Sequence, residues 1–480
     1  MIVPEFDTVR IYAESYEYIP IYECIPYEGV SVLDIYAAVR GSYSFLLESG
    51  DQTYHGRYSI IALPCDERFV SDNHRTYHIV KDQVEELEGN PLKLLEEMMS
   101  AHSPIYPQIP VFTGGAIGHF NYDVIRLQED LADTLPSLDL PLMQFGFVKE
   151  LFVIDHQTKL LYILVNIRRN HLEDHYRQAI QRIQEMKEIY ENVKHFEIQD
   201  EVGKTPLQSN YKQEAFEEMV RKAQQYIHAG DIFQVVLSQR MSCVYTEDPL
   251  QAYARLRQTS ISPYMYYLDF EDYVIAGVSP ELLLQARGSH IRTMPIAGTR
   301  KRGKDVYEDQ MLMKSLRDDP KENAEHMMLV DLGRNDIGKV ARLGSVNVSH
   351  LKDIRMYSHV MHMTSEVSGT LDERYSILDA LASVLPAGTL SGAPKIRAME
   401  IIEELENVKR EVYGGAIGFL GYNKQFDTCI TIRTFVFHKG HAYLQAGAGI
   451  VKDSHPDKEY QETLQKAAVL LQAIGYEVAL

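Results

Sequence analysis

The chain has 480 residues, 45% of them hydrophobic and 24% charged, which is the composition of an ordinary globular protein with ample material for a core. Its length exceeds what one simple core usually holds, so about two domains or one large composite α/β body is expected. Acidic residues outnumber basic ones by 68 to 48, and the formal charge of −20 opposes binding to nucleic acid or to an anionic membrane. An anionic small molecule would need a local cation to overcome this field.

The cysteines and the N-terminus indicate the cellular compartment. Cysteine occurs at four distant positions without a CxxC pair, which argues against a disulfide framework and a thiolate zinc site: Cys24, Cys65, Cys243 and Cys429. The start MIVPEFDTVR lacks the basic region and apolar core of a secretory signal, and no apolar run is long enough for a membrane span. We therefore expect a cytoplasmic protein with reduced thiols.

The first half of the chain alternates β-branched and aromatic runs with turn signals. These runs predict strands from about residue 40 to 165, and FVIDHQTKLLYILVNI, interrupted by a turn at 155 to 158, predicts a hairpin. A helix is predicted next, because apolar residues recur at steps of three, four and seven: Leu172, Tyr176, Ile180, Ile183 and Tyr190.

A change of composition follows this helix. The stretch IQDEVGKTPLQSN (198 to 210) loses periodicity and gathers Gly, Pro and charges, so it is the best candidate for a domain boundary. Beyond it, Asn210 can cap a helix with Gln213 three residues on, and this helix is predicted to end at Gly230. Its buried stripe is predicted to contain Phe216, Met219, Val220, Ala223 and Ile227.

One short sequence occurs twice. GGAIGHFNYD (114 to 123) resembles GGAIGFLGYN (414 to 423), and both copies have a tyrosine close to the end. The repeat indicates either a duplicated strand unit in two halves of a large sheet or the same solution to close backbone packing.

Two acidic pairs stand at helical spacing. The stretch KENAEHMMLV contains Glu322 and Glu325, and PDKEYQETLQ contains Glu459 and Glu462. Residues three apart share a helix face, so each pair would direct two carboxylates to one point. A solvated face is the ordinary explanation of such a pair, but the first pair leads straight into an apolar segment, where an unpaired carboxylate is costly. Glutamate oxygens without a Cys or His cluster suit a hard cation such as Mg²⁺.

The second acidic pair follows a glycine-containing stretch, AGAGIVKD. Gly447 and Gly449 would let a ligand approach the backbone, and Pro456 sits where a helix could start. Lys466 is four residues after Glu462 and shares its helix face. Neither GAGIVK nor GTLSGAPK satisfies the pattern of a nucleotide-binding loop.

These motifs belong to a longer series. In chain order the series is GDIFQVVLSQR (230 to 240), SPELLL (279 to 284), PIAGTRKRG (295 to 303), KENAEHMMLVDLGRND (321 to 336), HVMHMTSEVSG (359 to 369), PAGTLSGAPKIRAMEII (386 to 402), YGGAIGFLGY (413 to 422) and AGAGIVKDSHPDKEYQET (446 to 463). Together they resemble the chorismate-utilising enzymes, and within them the large subunit of anthranilate synthase. The N-terminal part matches more weakly, mainly through FLLES (45 to 49) and GGAIGHFNYD.

The resemblance implies a fold and a division of the chain. The fold would be α/β, with two large antiparallel sheets packed together and helices outside. Residues 1–200 would form an N-terminal region with elements of a feedback site, and residues 201–480 the chorismate-binding catalytic region.

The resemblance also implies a metal and substrate site. Glu325 and Glu462 would hold Mg²⁺, with Glu322 and Glu459 next to it, often through water. The charges agree, because four carboxylates and a dianionic substrate repel one another strongly without a divalent ion and nearby cations. Residues implied to seat chorismate are Thr389, Tyr413, Arg433, Gly447, Gly449 and Lys466, with Ala297 beside them.

Two residues match catalytic positions of the family. Glu281, in SPELLL, would protonate the departing ring hydroxyl, and its apolar neighbours would raise its pKa in the direction that this role needs. Without the resemblance it would be an ordinary glutamate at a strand end. His362 matches the histidine placed for the loss of pyruvate, and it either moves a proton or only positions the substrate.

Two further positions distinguish branches of the family. Relatives that add water to chorismate have a lysine base where this chain has Gln234, which cannot act as a base and so favours ammonia as nucleophile. Aminodeoxychorismate synthases have a nucleophilic lysine where this chain has Ala297. The expected reaction is therefore ammonia attack at ring carbon 2, loss of the carbon 4 hydroxyl, and elimination of pyruvate to leave anthranilate. Aminodeoxychorismate synthase, an isochorismate-forming enzyme, or a catalytically dead sensor remain as alternatives.

Partners and regulation are implied as well. No amidotransferase segment is found in the sequence, so the family implies a separate glutaminase subunit and a hetero-oligomer. FLLES and SPYM match the tryptophan-feedback site, with Glu48 and Ser49 on one side and Pro263, Tyr264 and Met265 around the indole. Ser260 replaces an asparagine often found there, and SPYM could also be plain core.

Overall fold

The computed structural model describes residues 1–50, 57–109, 111–199, 203, 205–356 and 360–476. Its α-helices are α1 (Phe6–Ala13), α2 (Val32–Val39), α3 (Pro91–Met98), α4 (Leu172–Glu191), α5 (Gln213–Ala229), α6 (Pro249–Thr259), α7 (Val306–Asp318), α8 (Pro320–Gly338), α9 (Ile377–Val384), α10 (Lys395–Leu405) and α11 (Pro456–Ala473).

The strands in chain order are β1 (Ile2–Val3), β2 (Tyr18–Pro26), β3 (Phe45–Glu48), β4 (Tyr58–Ala62), β5 (Glu67–Ser71), β6 (Thr76–Val80), β7 (Gln83–Leu87), β8 (Gly115–Phe120), β9 (Met143–Val148), β10 (Glu150–Asp155), β11 (Leu160–Arg168), β12 (Gln208–Ser209), β13 (Gln234–Val244), β14 (Tyr264–Asp269), β15 (Tyr273–Ser279), β16 (Leu282–Arg287), β17 (His290–Thr293), β18 (Ile296–Lys301), β19 (Asn347–Met356), β20 (Val360–Thr370), β21 (Gly392–Ala393), β22 (Ala416–Gly421), β23 (Gln425–Ile430), β24 (Thr434–His438) and β25 (His441–Ile450).

Two large sheets organise the described residues. The first, sheet A, has the order β1-β2-β11-β10-β4-β3-β14-β15-β24-β25-β13-β12, with β21 also paired to β13. The second, sheet B, has the order β18-β20-β17-β16-β23-β22-β8-β9-β5-β6-β7, with β19 also paired to β20. Every pairing within them is antiparallel, and both sheets take strands from before and after residue 200. The predicted architecture of two large antiparallel sheets with helices is confirmed.

Apolar faces of the two sheets meet in a shared core. Its members come from both sheets, for example Phe45 and Ile275 from sheet A with Ile117 and Ile417 from sheet B, and all four are buried. A second core forms where helices cover the outer face of sheet A, and a third where helices cover sheet B. Each sheet is therefore buried on both faces near its centre, which explains the continuous apolar runs of its strands.

The repeated sequence forms two neighbouring strands. β8 and β22 pair antiparallel with Gly118 opposite Gly418, so the two copies are related by a local twofold arrangement. A side chain at Gly118 would collide with the Gln144 carbonyl, and one at Gly418 with the Asp427 carbonyl. Close backbone packing therefore requires both glycines.

Most local predictions for the first half agree with the structure. The predicted hairpin is β10 and β11, and the predicted helix after it is α4, although Ile180 is 36% exposed rather than buried. α5 ends at Gly230, whose left-handed φ of 86° suits glycine. The predicted cap was wrong: Lys212 precedes the helix, and the Asn210 side chain instead accepts a hydrogen bond from the Arg240 amide at 2.8 Å.

Within the described part of the chain, no helix combines the length and apolar character that crossing a bilayer requires.

Candidate active site

Two chain segments cross between the sheets side by side. Glu281 lies between β15 of sheet A and β16 of sheet B, and residues 431–433 lie between β23 of sheet B and β24 of sheet A. The Ile430 amide donates to the Glu281 carbonyl at 3.0 Å, and the Val278 amide donates to the Arg433 carbonyl at 3.1 Å. These hydrogen bonds hold the two crossings together, so Glu281 and Arg433 become neighbours although they are distant in the chain.

The surroundings of the Glu281 carboxyl favour its protonated form. Burial raises its pKa to about 7, against the opposing effects of the Thr389 hydrogen bond and the charges of Lys466 and Arg433. The Thr389 hydroxyl donates to Glu281 Oε1 at 3.1 Å. A carboxyl with a pKa near 7 is substantially protonated at neutral pH, which is the state that a general acid requires.

Arg433 brings an uncompensated positive charge beside Glu281. Burial lowers its pKa, and the nearby Glu281 carboxylate acts in the opposite direction. Its guanidinium makes no hydrogen bond or ion pair with any residue in the described ranges. Because a desolvated cation is costly without a partner, this guanidinium is suited to an anionic ligand.

His362 lies on β20 opposite a bulge in β18. Its Nδ1 is 3.0 Å from the Thr299 hydroxyl and 3.2 Å from the Gly298 carbonyl. Burial lowers its pKa, opposed by the Gly298 hydrogen bond and assisted by the charge of Arg433. The imidazole is therefore neutral at pH 7, and donation from Nδ1 to the carbonyl assigns the tautomer with an unprotonated Nε2.

Gly298 is the residue that makes this bulge possible. Its φ is 68°, and a Cβ there would meet Glu322 Oε2 at 2.9 Å and Leu316 Cδ1 at 2.8 Å. The register shifts between Ala297 and Thr299, so the bulge brings β18 against the beginning of α8.

The two acidic pairs converge. Asp319 caps α8 by accepting from the amides of Lys321 and Glu322, and α11 begins at Pro456 as predicted. Burial raises the pKa of Glu325, and the charges of Glu322 and then Glu462 raise it further.

The same effect appears on the other helix. Burial raises the pKa of Glu459, the hydrogen bond from Ser454 opposes this, and the charge of Glu462 raises it again. The carboxylates of α8 and α11 therefore lie within one negatively charged region.

Two cations partly neutralise this region. Arg300 Nη1 donates to Glu322 at 3.1 Å, and Lys466 Nζ is 2.8 Å from Glu462 while donating to the Gly447 carbonyl at 3.0 Å. In the portion that the structure describes, no three His, Cys, Asp or Glu side chains are grouped closely enough to hold a metal by themselves. Mg²⁺ commonly takes only one or two carboxylates, with water and substrate oxygens completing its shell, so the donor set is chemically suited to it.

The glycines of β25 leave space that two other side chains occupy. The sequence indicated that a ligand approaches the backbone at Gly447 and Gly449, and this stays a prediction. A Cβ at Gly447 would meet the Tyr413 hydroxyl at 2.8 Å, and one at Gly449 would meet Gln234 Nε2 at 2.8 Å. The absent side chains thus make room for Tyr413 and Gln234, and the buried Gln234 Oε1 has no hydrogen-bond partner in the described residues.

Sequence reasoning missed the residue that joins these parts. The buried Arg410 donates to the Leu390 carbonyl at 2.5 Å, to the Val236 carbonyl at 2.6 Å and to Glu406 at 2.5 Å, and its guanidinium lies 5.8 Å from the Tyr413 ring centre. It fixes the turn of Thr389, the start of β13 and Tyr413 at once. The signal was the Glu–Arg pair four residues apart just before Tyr413, a spacing that also describes many surface pairs.

A separate cavity of about 540 Å³ lies between the two sheets. Its lining includes all five residues that the sequence assigned to an effector: Glu48, Ser49, Pro263, Tyr264 and Met265. The volume suits a small organic ligand. Arg57, Arg287 and Arg292 add positive charge to its wall.

The polar groups of this cavity differ in their pairing. Glu48 is fixed by Arg257, with contacts of 2.9 Å to each carboxylate oxygen, and by the Tyr253 hydroxyl at 2.8 Å. The buried hydroxyls of Ser49 and Tyr58, in contrast, have no partner in the described residues.

Known protein families and structures resemble this chain. The model of a family described as chorismate binding enzyme matches residues 42–472, which is most of the chain. The chain belongs to the chorismate-binding enzyme family.

Individual members of the chorismate-binding family resemble the whole chain. Anthranilate synthase component 1 of Acetivibrio thermocellus is 44% identical over 99% of both chains, and that of Aquifex aeolicus is 40% identical over 98% of this chain and 97% of its own. The crystal structure of anthranilate synthase component I from Streptococcus pneumoniae TIGR4 has a TM-score of 0.78 at 36% identity, covering 93% of this chain and 99% of that one. A menaquinone-specific isochorismate synthase from Escherichia coli shares the fold at 19% identity, with a TM-score of 0.71 over 98% of each chain.

Proposed function

We propose that this chain converts chorismate and ammonia to anthranilate and pyruvate, as the large subunit of an anthranilate synthase. The observation that carries the proposal is that Glu281, whose carboxyl has a pKa of about 7, lies near the unpaired guanidinium of Arg433. Relatives named anthranilate synthase component 1 support it along nearly the whole chain.

In the first step, ammonia attacks ring carbon 2 and the carbon 4 hydroxyl departs as water. Glu281 gives its proton to the departing hydroxyl, and Thr389 orients the carboxyl through the hydrogen bond to Oε1. Arg433 and Lys466 bind the carboxylates of chorismate, and the Tyr413 hydroxyl closes the pocket at Gly447.

In the second step, carbon 2 gives its proton to a base and the bond between carbon 3 and the ether oxygen breaks. The enolpyruvate that leaves takes up a proton at its methylene carbon to become pyruvate. Aromaticity of the product drives this step, so the protein mainly needs to orient the ring. His362 acts in this step through its unprotonated Nε2. The contact between its Nδ1 and the Gly298 carbonyl fixes the orientation of the imidazole.

Mg²⁺ is the proposed cofactor. Glu325 and Glu462 would hold it, with Glu322 and Glu459 beside them, and the mutual repulsion of these carboxylates supports a cation there. When bound, the ion supplies positive charge for the substrate carboxylate.

The nucleophile follows from two side chains. Gln234 has no basic nitrogen with which to activate water, and its unpartnered Oε1 can accept a hydrogen bond from ammonia. Ala297 provides no amine for a covalent intermediate. These residues support ammonia as nucleophile and anthranilate as product rather than an aminodeoxychorismate or isochorismate.

We further propose a partner and an inhibitor. The designation component 1 of the relatives supports a second component, and a glutamine amidotransferase subunit is the proposed source of ammonia. Tryptophan is the proposed inhibitor in the cavity between the sheets, with its amine at Ser49, its indole between Pro263 and Met265, and its carboxylate near the arginines.

A direct assay tests the catalytic proposal. The pure chain is mixed with chorismate, Mg²⁺ and ammonium at mildly alkaline pH, and anthranilate fluorescence and pyruvate are followed. Both products are expected in equal amounts. A non-aromatic amino product without pyruvate would favour an aminodeoxychorismate synthase, and no turnover even with a glutaminase subunit would favour a binding protein without catalysis.

A further inference from the structure

A small cavity lies beside Tyr413. Its volume is about 30 Å³, and its wall includes Arg240, Glu411, Tyr413 and Thr431. A water molecule needs roughly 10–15 Å³ of such space, so the cavity has room for one or two.

Two polar atoms of this wall lack partners. Thr431 is fully buried and Glu411 is 3% exposed, and neither Thr431 Oγ1 nor Glu411 Oε2 has a hydrogen-bond partner among the described residues. The other oxygen of Glu411 is satisfied by the Ser137 hydroxyl at 2.6 Å and the Leu138 amide at 2.5 Å. Two buried groups without partners, on residues that line one small cavity, are costly unless a ligand of matching size joins them.

The charges around the cavity select the ligand. Arg240, with Nε 3.2 Å from Gln445 Oε1, and the buried Arg410 both contribute to the wall. Two guanidinium groups disfavour a cation, and the volume excludes most other small molecules. Water can donate a hydrogen bond to Glu411, and it can either donate a hydrogen bond to the Thr431 hydroxyl or accept one from it.

The cavity also joins the two segments that present substrate-binding residues. The Gly414 amide donates to the Thr431 carbonyl at 2.9 Å, and the Thr431 amide donates to the Gly415 carbonyl at 2.9 Å. Glu411 and Arg433 have left-handed φ values of 51° and 50°, which non-glycine residues rarely adopt. Such conformations persist where surrounding contacts over-determine them.

We infer that the cavity holds an ordered water bridging Glu411 and Thr431, and that this water locks the loops that present Tyr413 and Arg433 to the substrate. Thr431 is thus a positioning residue. The inference rests on the proposed function, because the two presented residues are proposed to bind chorismate. Loss of the bridging water would weaken chorismate binding equally in the ground state and the transition state, which raises KM and leaves kcat nearly unchanged.

Thr431→Val tests this, because valine keeps the shape and removes the hydroxyl. In the ammonium-dependent assay we expect KM for chorismate to rise about tenfold with little change in kcat. Thr431→Ser, which retains the hydroxyl, should restore the wild-type KM. Thr113→Val is the matched control, since Thr113 is 1% exposed and its hydroxyl is also unpartnered, yet it lies outside the cavity wall.

Several outcomes would overturn the inference. If Thr431→Val only destabilises the fold, less enzyme is active, so the apparent kcat falls while KM stays constant. That result would contradict the inference. The inference also fails if Thr431→Val keeps the wild-type KM, or if Thr113→Val raises KM equally.

A high-resolution crystal structure of the wild-type chain is the second measurement. It should show a density peak within hydrogen-bond distance of Glu411 Oε2 and Thr431 Oγ1, and an unoccupied cavity would reject the bridge even if the valine variant does not fold. Absence of anthranilate from the wild-type chain would instead reject the proposed function, and the crystal structure would still decide whether the water is present.

Discussion

The candidate active site around Glu281 and Arg433 differs from the cavity between the sheets in how its central charges are paired. In the active site, Arg433 has no partner in the described residues, and the pKa of Glu281 is raised to about 7. In the cavity, Glu48 is paired with Arg257, and Arg57 with Asp155 at 2.7 Å. The pairing is not complete in either site, because Arg287 of the cavity has no ion pair in the described residues and Lys466 of the active site is paired with Glu462. We propose chemistry at the first site, where a carboxyl with a raised pKa lies near an unpaired cation, and ligand binding at the second.

Removing the acidic proton of Glu281 should have the largest effect, and it should affect the active site but not the cavity. Glu281→Gln keeps the shape but cannot donate an acid proton, so kcat for anthranilate should fall about a thousandfold. Tryptophan binding, measured by calorimetry, should be unchanged because Glu281 does not line the cavity. Near-normal turnover in this variant would remove Glu281 from the acid role.

The carboxylates of α8 and α11 are the next target. Glu325→Gln and Glu462→Gln should each lower turnover about a hundredfold or more at saturating chorismate, because a metal site tolerates the loss of a charged ligand poorly. Calorimetric titration of the unreacted protein with Mg²⁺ should show weaker binding in both. Lys458→Gln, on the exposed face of α11, is the control. Wild-type Mg²⁺ affinity in both glutamine variants would contradict the metal assignment.

The buried pair of Arg410 and Glu406 can be compared with the pair of Arg257 and Glu48. Arg410→Met leaves the buried Glu406 carboxylate without its cation, with only the Ser238 amide and hydroxyl donating to it, so the free energy of unfolding should drop by about 3–5 kcal/mol. Arg257 is more exposed, and Arg257→Met should cost less. Urea unfolding measures both, and equal losses would show that burial does not distinguish the two pairs.

The pH dependence sharpens the role of Glu281. Its pKa of about 7 means that the acid form predominates below pH 7 and is lost as the pH rises through that value. At a fixed concentration of free ammonia, kcat/KM for chorismate should therefore fall about tenfold per pH unit above pH 7. A profile that is flat between pH 6 and 9 is incompatible with this acid.

The smallest expected effect concerns the cavity. Ser49→Ala removes one hydroxyl that is free to contact the amine of tryptophan, so the inhibition constant should rise about tenfold while the uninhibited rate stays the same. Ser42→Ala, on the exposed turn before β3 and outside the cavity wall, is the control. Equal inhibition of the Ser49 variant and the wild type would exclude this serine from the effector site.

Much of the architecture followed from local patterns. Alternation and turn signals gave the β10–β11 hairpin, and helical periodicity gave α4 and α5, because these features depend on residues close in sequence. The acidic pairs were visible for the same reason. Their convergence came from resemblance to a family, since nothing local states that α8 and α11 meet.

Other features depend on contacts that no local pattern encodes. Asn210 is a good capping residue, yet it bonds Arg240 of β13, because tertiary pairing outweighs a cap. Gly447 and Gly449 are predicted ligand contacts, but no local pattern indicated that Tyr413 and Gln234, from elsewhere in the chain, pack where their side chains would be. Arg410 escaped notice because two of its partners are backbone carbonyls on distant segments, those of Leu390 and Val236.

The side-by-side crossings of Glu281 and Arg433 have a mechanical consequence. Each residue stands in a segment that joins the two sheets, so the distance between the sheets affects where Glu281 and Arg433 lie. The large cavity opens into that same gap, with walls from β3 and β14 on one side and β16 and β23 on the other. The distance between the sheets therefore affects both the proposed catalytic site and the proposed inhibitor site.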